Sequence, residues 1–98
     1  MENNTILFNA LRNAVELVSL GKTVIELMTI LRDESFSKIE LMIIDSVIKK
    51  MPLENLWNTL ILNKDEYLYI IEDIIIKLLN VSERYVIEKQ EDNDFMDI

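Results

Sequence analysis

Three segments of this chain pair a capping residue with a glutamate three positions later at the opening of a run of apolar residues at helical spacing. The segments are Thr23-Val24-Ile25-Glu26, Ser37-Lys38-Ile39-Glu40 and Asn63-Lys64-Asp65-Glu66. In such a box the first side chain accepts from the glutamate N–H, and the glutamate reaches back. Donors left unpaired at a helix start are thereby satisfied. The boxes mark three helix starts. One Gly and one Pro in 98 residues leave little material for tight β-turns. The chain is expected to be all-α, with about five helices.

The apolar periodicity fills in the rest. Thr5 to Leu20 reads as a first helix, with Leu7, Leu11, Ala14 and Val18 on one face and Phe8 and Val15 beside them. Gly21 suits a helix C′ position, and a second helix follows to about Arg32 with Val24, Leu27, Met28 and Leu31 inward. One continuous helix through Gly21 is the alternative, at about 1 kcal/mol relative to Ala. Asp33-Glu34-Ser35 is a polar break. The third helix carries Leu41, Ile44, Val47, Ile48 and Met51 inward, and Pro52 suits position N1 of a short fourth helix lined by Leu53, Leu56, Trp57 and Leu60. In the fifth, Tyr67, Ile70, Ile71, Ile74, Ile75 and Leu78 form one broad face. Asp65, Glu72, Asp73, Lys77 and Asn80 mark the other, with Tyr69 and Ile76 among them. Residues 1–87 are expected to form one helical domain, and 88–98 an acidic, disordered tail.

Composition narrows the chemistry. There is no Cys and no His, hence no disulfide frame, no thiolate zinc site and no imidazole base. Asp65-Glu66 and Glu72-Asp73 are paired carboxylates, but neighbours on a helix point about 100° apart and do not converge on one atom. Solvated helix faces account for them better. Asp92-Asn93-Asp94 lacks the Gly and the closing Glu of a calcium loop. No Gly-rich phosphate loop or nucleophile–base pair occurs. The expectation is a non-enzyme without cofactor or metal. The Met1-Glu2-Asn3-Asn4 start has no basic n-region, and no apolar run approaches the ~18 residues of a spanning helix. A cytoplasmic protein without membrane contact is expected.

Residues 36–79 carry a resemblance. Phe36-Ser37 precedes Glu40 at the interval of a Leu-Ser/Thr…Glu opening, followed by the apolar pairs Ile43-Ile44 and Val47-Ile48. Pro52-Leu53-Glu54-Asn55-Leu56-Trp57 stands where a scaffold helix reads Ser-x-x-Glu-Ile-Ala. Leu60 and Leu62 flank the turn, and Tyr67, Ile71, Ile74, Lys77 and Leu78 fit a recognition helix. This stretch resembles the helix-turn-helix DNA-binding domain shared by GerE/LuxR-type response regulators and region 4 of bacterial sigma factors. The resemblance implies a trihelical unit, on which the N-terminal helical hairpin would pack. It also implies that Lys64, Asp65, Glu66, Leu68 and Tyr69 occupy the groove-reading positions. Those residues depart from a DNA reader, because two carboxylates would face phosphate and Leu68 cannot hydrogen-bond a base edge. Trp57 replaces a small residue between the motif helices, and Lys50 a Gly.

The net charge is −8, and phosphate neutralisation by Lys and Arg supplies most DNA affinity. The ten basic residues are scattered, with Lys49-Lys50 the only adjacent pair. A helical frame with an acidic and apolar surface points to a regulator that binds protein. RNA polymerase or a sigma factor is a candidate partner, and the regulator itself is expected to be a homodimer. Its interface would comprise Leu68, Tyr69 and Ile76 with Asp65 and Glu72. Heavy use of Ile, Asn, Lys and Glu fits an AT-rich bacterial, phage or plasmid source. Two alternatives stand: a DNA-binding regulator using Lys49, Lys50 and Lys64 on phosphates, and a helical bundle like those of bacteriocin-immunity proteins.

Overall fold

Five helices follow in order: α1 (Glu2–Ser19), α2 (Val24–Asp33), α3 (Lys38–Ile48), α4 (Leu56–Thr59) and α5 (Lys64–Asp97). The computed structural model describes the backbone of residues 2–97 and the side chains of residues 4–84, with no strand among them. The acidic segment 88–98, expected to be disordered, lies outside the residues whose side chains are described.

Two of the glutamate boxes form in full, and the third forms its cap bond with a side-chain bond in place of the backbone one. Glu26 N–H donates to Thr23 Oγ1 at 3.2 Å, and Glu40 N–H donates to Ser37 Oγ at 3.2 Å. Glu66 N–H donates to Asn63 Oδ1 at 2.8 Å. The reach-back bond goes to the backbone N–H of Thr23 and Ser37, and comes from the side-chain amide of Asn63. The chain is broken at Gly21, whose φ is +71°, so α1 and α2 are separate helices.

The other helix ends are less ordinary. Ser35, Lys50 and Ile61 all have positive φ, and each is the C′ residue of a Schellman turn. Phe36 N–H donates to Leu31 O, Met51 N–H to Ser46 O and Leu62 N–H to Trp57 O. Lys50 therefore takes up, at φ +59°, the left-handed backbone that glycine adopts most cheaply.

This turn corrects the expectation for Pro52. Pro52 is not at N1 of the fourth helix but four residues ahead of α4. The physical reason is local. After Pro52 the backbone closes in tight three-residue steps, Leu56 N–H donating to Leu53 O at 3.2 Å and Asn58 N–H to Asn55 O at 3.3 Å, and not in the four-residue steps of an α-helix. The chain then needs Leu53–Asn55 to turn before one helical turn forms. Met51 and Val24, both expected inward, are exposed for related reasons: one follows a C′ residue, the other opens a helix.

One core joins the elements. Leu11 of α1, Leu27 and Leu31 of α2, Ile43 and Ile44 of α3, Leu53, and Tyr67, Ile71, Ile74 and Leu78 of α5 are fully buried. Burying each such aliphatic chain contributes about 1.5–3 kcal/mol. Helix α5 packs chiefly on α1, and α3 touches α1, α2 and α5. Ile70 and Ile75 are half-buried against this core.

Candidate functional site

Helix α5 has two characters, set by its sequence period. Tyr67, Ile71, Ile74, Leu78 and Val81 are buried, while Asp65, Tyr69, Glu72, Asp73, Ile76 and Asn80 are exposed. At about 100° per residue the second set falls on one stripe, opposite the first. Tyr69 and Ile76 are seven residues apart, two turns along that stripe. Tyr69 is 72% exposed and Ile76 58%. Asp65 and Glu72 lie between and before them on the same side, and Asp73 on its flank. The result is an apolar ridge edged by carboxylates. Leu68 does not belong to it, being half-buried and packed against the core.

The core side of α5 is anchored by two features that matter for how the ridge is held. Tyr67 lies against two other rings, Phe8 of α1 at 6.1 Å and Trp57 of α4 at 5.7 Å between centroids. Trp57, at the position where the resemblance calls for a small residue, thus fills space as a ring contact. The Tyr67 hydroxyl is buried without a hydrogen-bond partner among the described residues. Burial pushes its pKa well up, the Glu54 carboxylate adds to this, and the Arg12 guanidinium opposes it weakly. One helical stretch later, Lys77 Nζ donates to Glu40 Oε1 at 2.8 Å and lies 5.3 Å from the centre of the Phe36 ring. Burial pushes the Glu40 carboxyl up, but its bonds from Lys77 and from Ser37 outweigh that and hold it below the usual carboxylate range. Arg84 and Glu34 form a further ion pair between α5 and the end of α2.

The three lysines considered for phosphate contact are put to separate uses. Lys49 Nζ is 2.8 Å from Asp45 Oδ2, one turn back on α3. Lys64 opens α5, next to exposed Asp65 and Glu66. Lys50 instead borders a cleft of about 780 Å³ that no local sequence signal announces. Val15 and Leu27 form its buried floor; Val47 and Ile48 are half-buried walls. Val24, Met51 and Pro52 are an exposed lip, and Arg12, Glu16, Lys22 and Lys50 stand on the rim. These residues come from α1, α2, α3 and the turn after α3, so only the fold brings them together.

Among the described residues no group of three or more His, Cys, Asp or Glu side chains is placed to hold a metal ion. No helix among them is long and apolar enough to cross a membrane. Comparison with known proteins yields no family model, no curated protein and no solved structure that matches the chain.

Proposed function

We propose that this is a small, acidic, non-enzymatic regulatory protein that acts by binding another protein through the outward stripe of α5. The observation that carries the reading is the exposure of Tyr69 and Ile76 on one face of a helix whose other face is the centre of the core. Two large apolar side chains held out by a rigid helix, with Asp65, Glu72 and Asp73 beside them, form a surface suited to helix-in-groove recognition. The carboxylates favour a basic partner and raise its encounter rate. A component of the transcription machinery, such as RNA polymerase or a sigma factor, is the partner class that the helix-turn-helix resemblance suggests. The setting would be the cytoplasm of a bacterium, with the protein encoded by a phage or plasmid and acting as a homodimer.

The test is capture with the tagged protein, compared with Tyr69→Asp and Ile76→Asp, from lysate of the source organism treated with nuclease. One protein retained in stoichiometric amount by the parent and lost by both variants supports the reading. Retention unchanged by both substitutions, or recovery of nucleic acid alone in untreated lysate, overturns it.

A further inference from the structure

The cleft and the α5 stripe have opposite signs. In a chain of net charge −8, the cleft rim carries Arg12, Lys22 and Lys50 against the single acid Glu16. The Lys50 ammonium forms no ion pair among the described residues, and Arg12 is held by Glu54 at 3.6 Å and by Asn9 Oδ1 at 3.2 Å. Inside this rim the lining is mostly aliphatic. A complementary occupant therefore needs an apolar ridge with carboxylates on its flanks. Lys50 and Arg12, on different elements, suit two spaced carboxylates better than one acidic head group.

Among the described residues, exposed apolar side chains stand on α1, α2, α3 and α5, and those of α5 fit this description best. On α1, Ile6, Leu17 and Leu20 are exposed with Asn9, Asn13 and a single acid, Glu16, beside them, and on α3 Ile39 and Met42 have Lys38 and Lys49 beside them. On α5, Tyr69 and Ile76 are flanked by Asp65, Glu72 and Asp73. Size agrees as well. The cleft is lined along α1 from Arg12 to Ser19, and Tyr69 to Ile76 covers the same number of residues, about 10 Å of helix in each case. No described residue of α5 lines the cleft, so the stripe of Tyr69 and Ile76 reaches it from another molecule.

We propose that the α5 stripe of one copy docks in the basic-rimmed cleft of a second copy. Tyr69 and Ile76 cover Val24, Val47 and Met51, and Glu72 and Asp65 pair with Lys50 and Arg12. The contact is heterologous: it joins two different patches, and so either closes through both copies at once or continues head to tail. It rests on the reading of α5 as a protein-binding face and adds that self-association and partner binding compete for that face.

Two variants test it by sedimentation equilibrium, with circular dichroism to check that each keeps its helices. Lys50→Glu/Met51→Glu alters the exposed lip of the cleft; Tyr69→Lys/Glu72→Lys alters the exposed stripe. The parent should self-associate with rising concentration, and each variant alone should be monomeric, at least tenfold weaker in self-association. If the contact instead joined like patches, an equimolar mixture of the two variants would stay as weak as either alone. Here the intact cleft of one fits the intact stripe of the other, so a 1:1 dimer forms and nothing larger. A monomeric parent overturns the contact while leaving capture of a partner, and its loss in Ile76→Asp, as a separate result. A self-associating parent whose two variants fail to complement each other overturns it too, since the interface is then of another kind.

Discussion

Lys77 and Glu40, 37 residues apart in sequence, meet at 2.8 Å where α5 passes the first turn of α3. Glu40 is also the reach-back member of the box that starts α3, accepting from Ser37 N–H at 2.7 Å. One carboxylate thus caps one helix and ties down another. Since it is almost fully buried, its loss is felt in both places.

Glu40→Gln should cost about 1–3 kcal/mol at neutral pH, the range for hydrogen bonds to a charged group. The pH dependence has a fixed direction. The folded protein holds this carboxyl below its unfolded value of about 4.3, so its contribution is complete above that pH and is lost as pH falls through the lower, folded value. Urea unfolding should therefore show a full gap between parent and variant at neutral pH and a much smaller one in acid. An equal gap at both would mean that the charge of Glu40 is not engaged.

Tyr67→Phe should be neutral or stabilising, by up to about 2 kcal/mol, because it removes a buried hydroxyl that has no hydrogen-bond partner among the described residues. The ring stays between Phe8 and Trp57. Tyr67→Ala should cost about 3–5 kcal/mol. Alkaline behaviour offers a second readout. The folded state resists ionising Tyr67, whereas the unfolded chain ionises it near pH 10, so the parent loses stability above that pH. The Phe variant lacks this contribution. A clear loss of stability in Tyr67→Phe at neutral pH would show that the hydroxyl is bonded after all.

What was legible in the sequence was local. The boxes at Thr23, Ser37 and Asn63 could be read because cap and partner lie three residues apart, and Gly21 because it stands at a helix end. The buried stripe of α5 and the outward placement of Tyr69 and Ile76 followed from a 3.6-residue period. Pro52 misled because the N1 preference says nothing of the residues after it, which here close a tight turn from Leu53 to Leu56 before the helix begins. The left-handed Ser35, Lys50 and Ile61 carry no sequence signature, and the turns there are set by the packing on either side. The cleft was illegible for another reason: Arg12, Lys22 and Lys50 belong to separate elements, so ten scattered basic residues hid a local cluster.

Ile61 is the sharpest conflict between residue and backbone. A β-branched side chain is held at φ +57° while 92% exposed, so it pays the left-handed penalty of about 1–2 kcal/mol with little burial in return. Ile61→Gly should raise stability by about 1 kcal/mol after the greater freedom of glycine in the unfolded chain is subtracted. Gly21→Ala should do the reverse. The space around Gly21 is open, with nothing within 4 Å of an added Cβ, so its cost of about 1 kcal/mol would come from φ alone. Melting temperatures of the two variants, moving in opposite directions, check both statements.

Leu68, Tyr69 and Ile76 separate under one substitution, because α5 turns the first toward the core and the others toward water. Leu68→Asp buries a carboxylate against apolar neighbours and should destabilise by about 2 kcal/mol or more. Tyr69→Asp and Ile76→Asp add charge where solvent already reaches and should stay within about 0.5 kcal/mol of the parent. Equilibrium unfolding of the three variants decides the matter before any partner is sought. If Tyr69→Asp and Ile76→Asp unfold as readily as Leu68→Asp, the stripe is structural. If they keep full stability, any loss of binding they cause belongs to the surface itself.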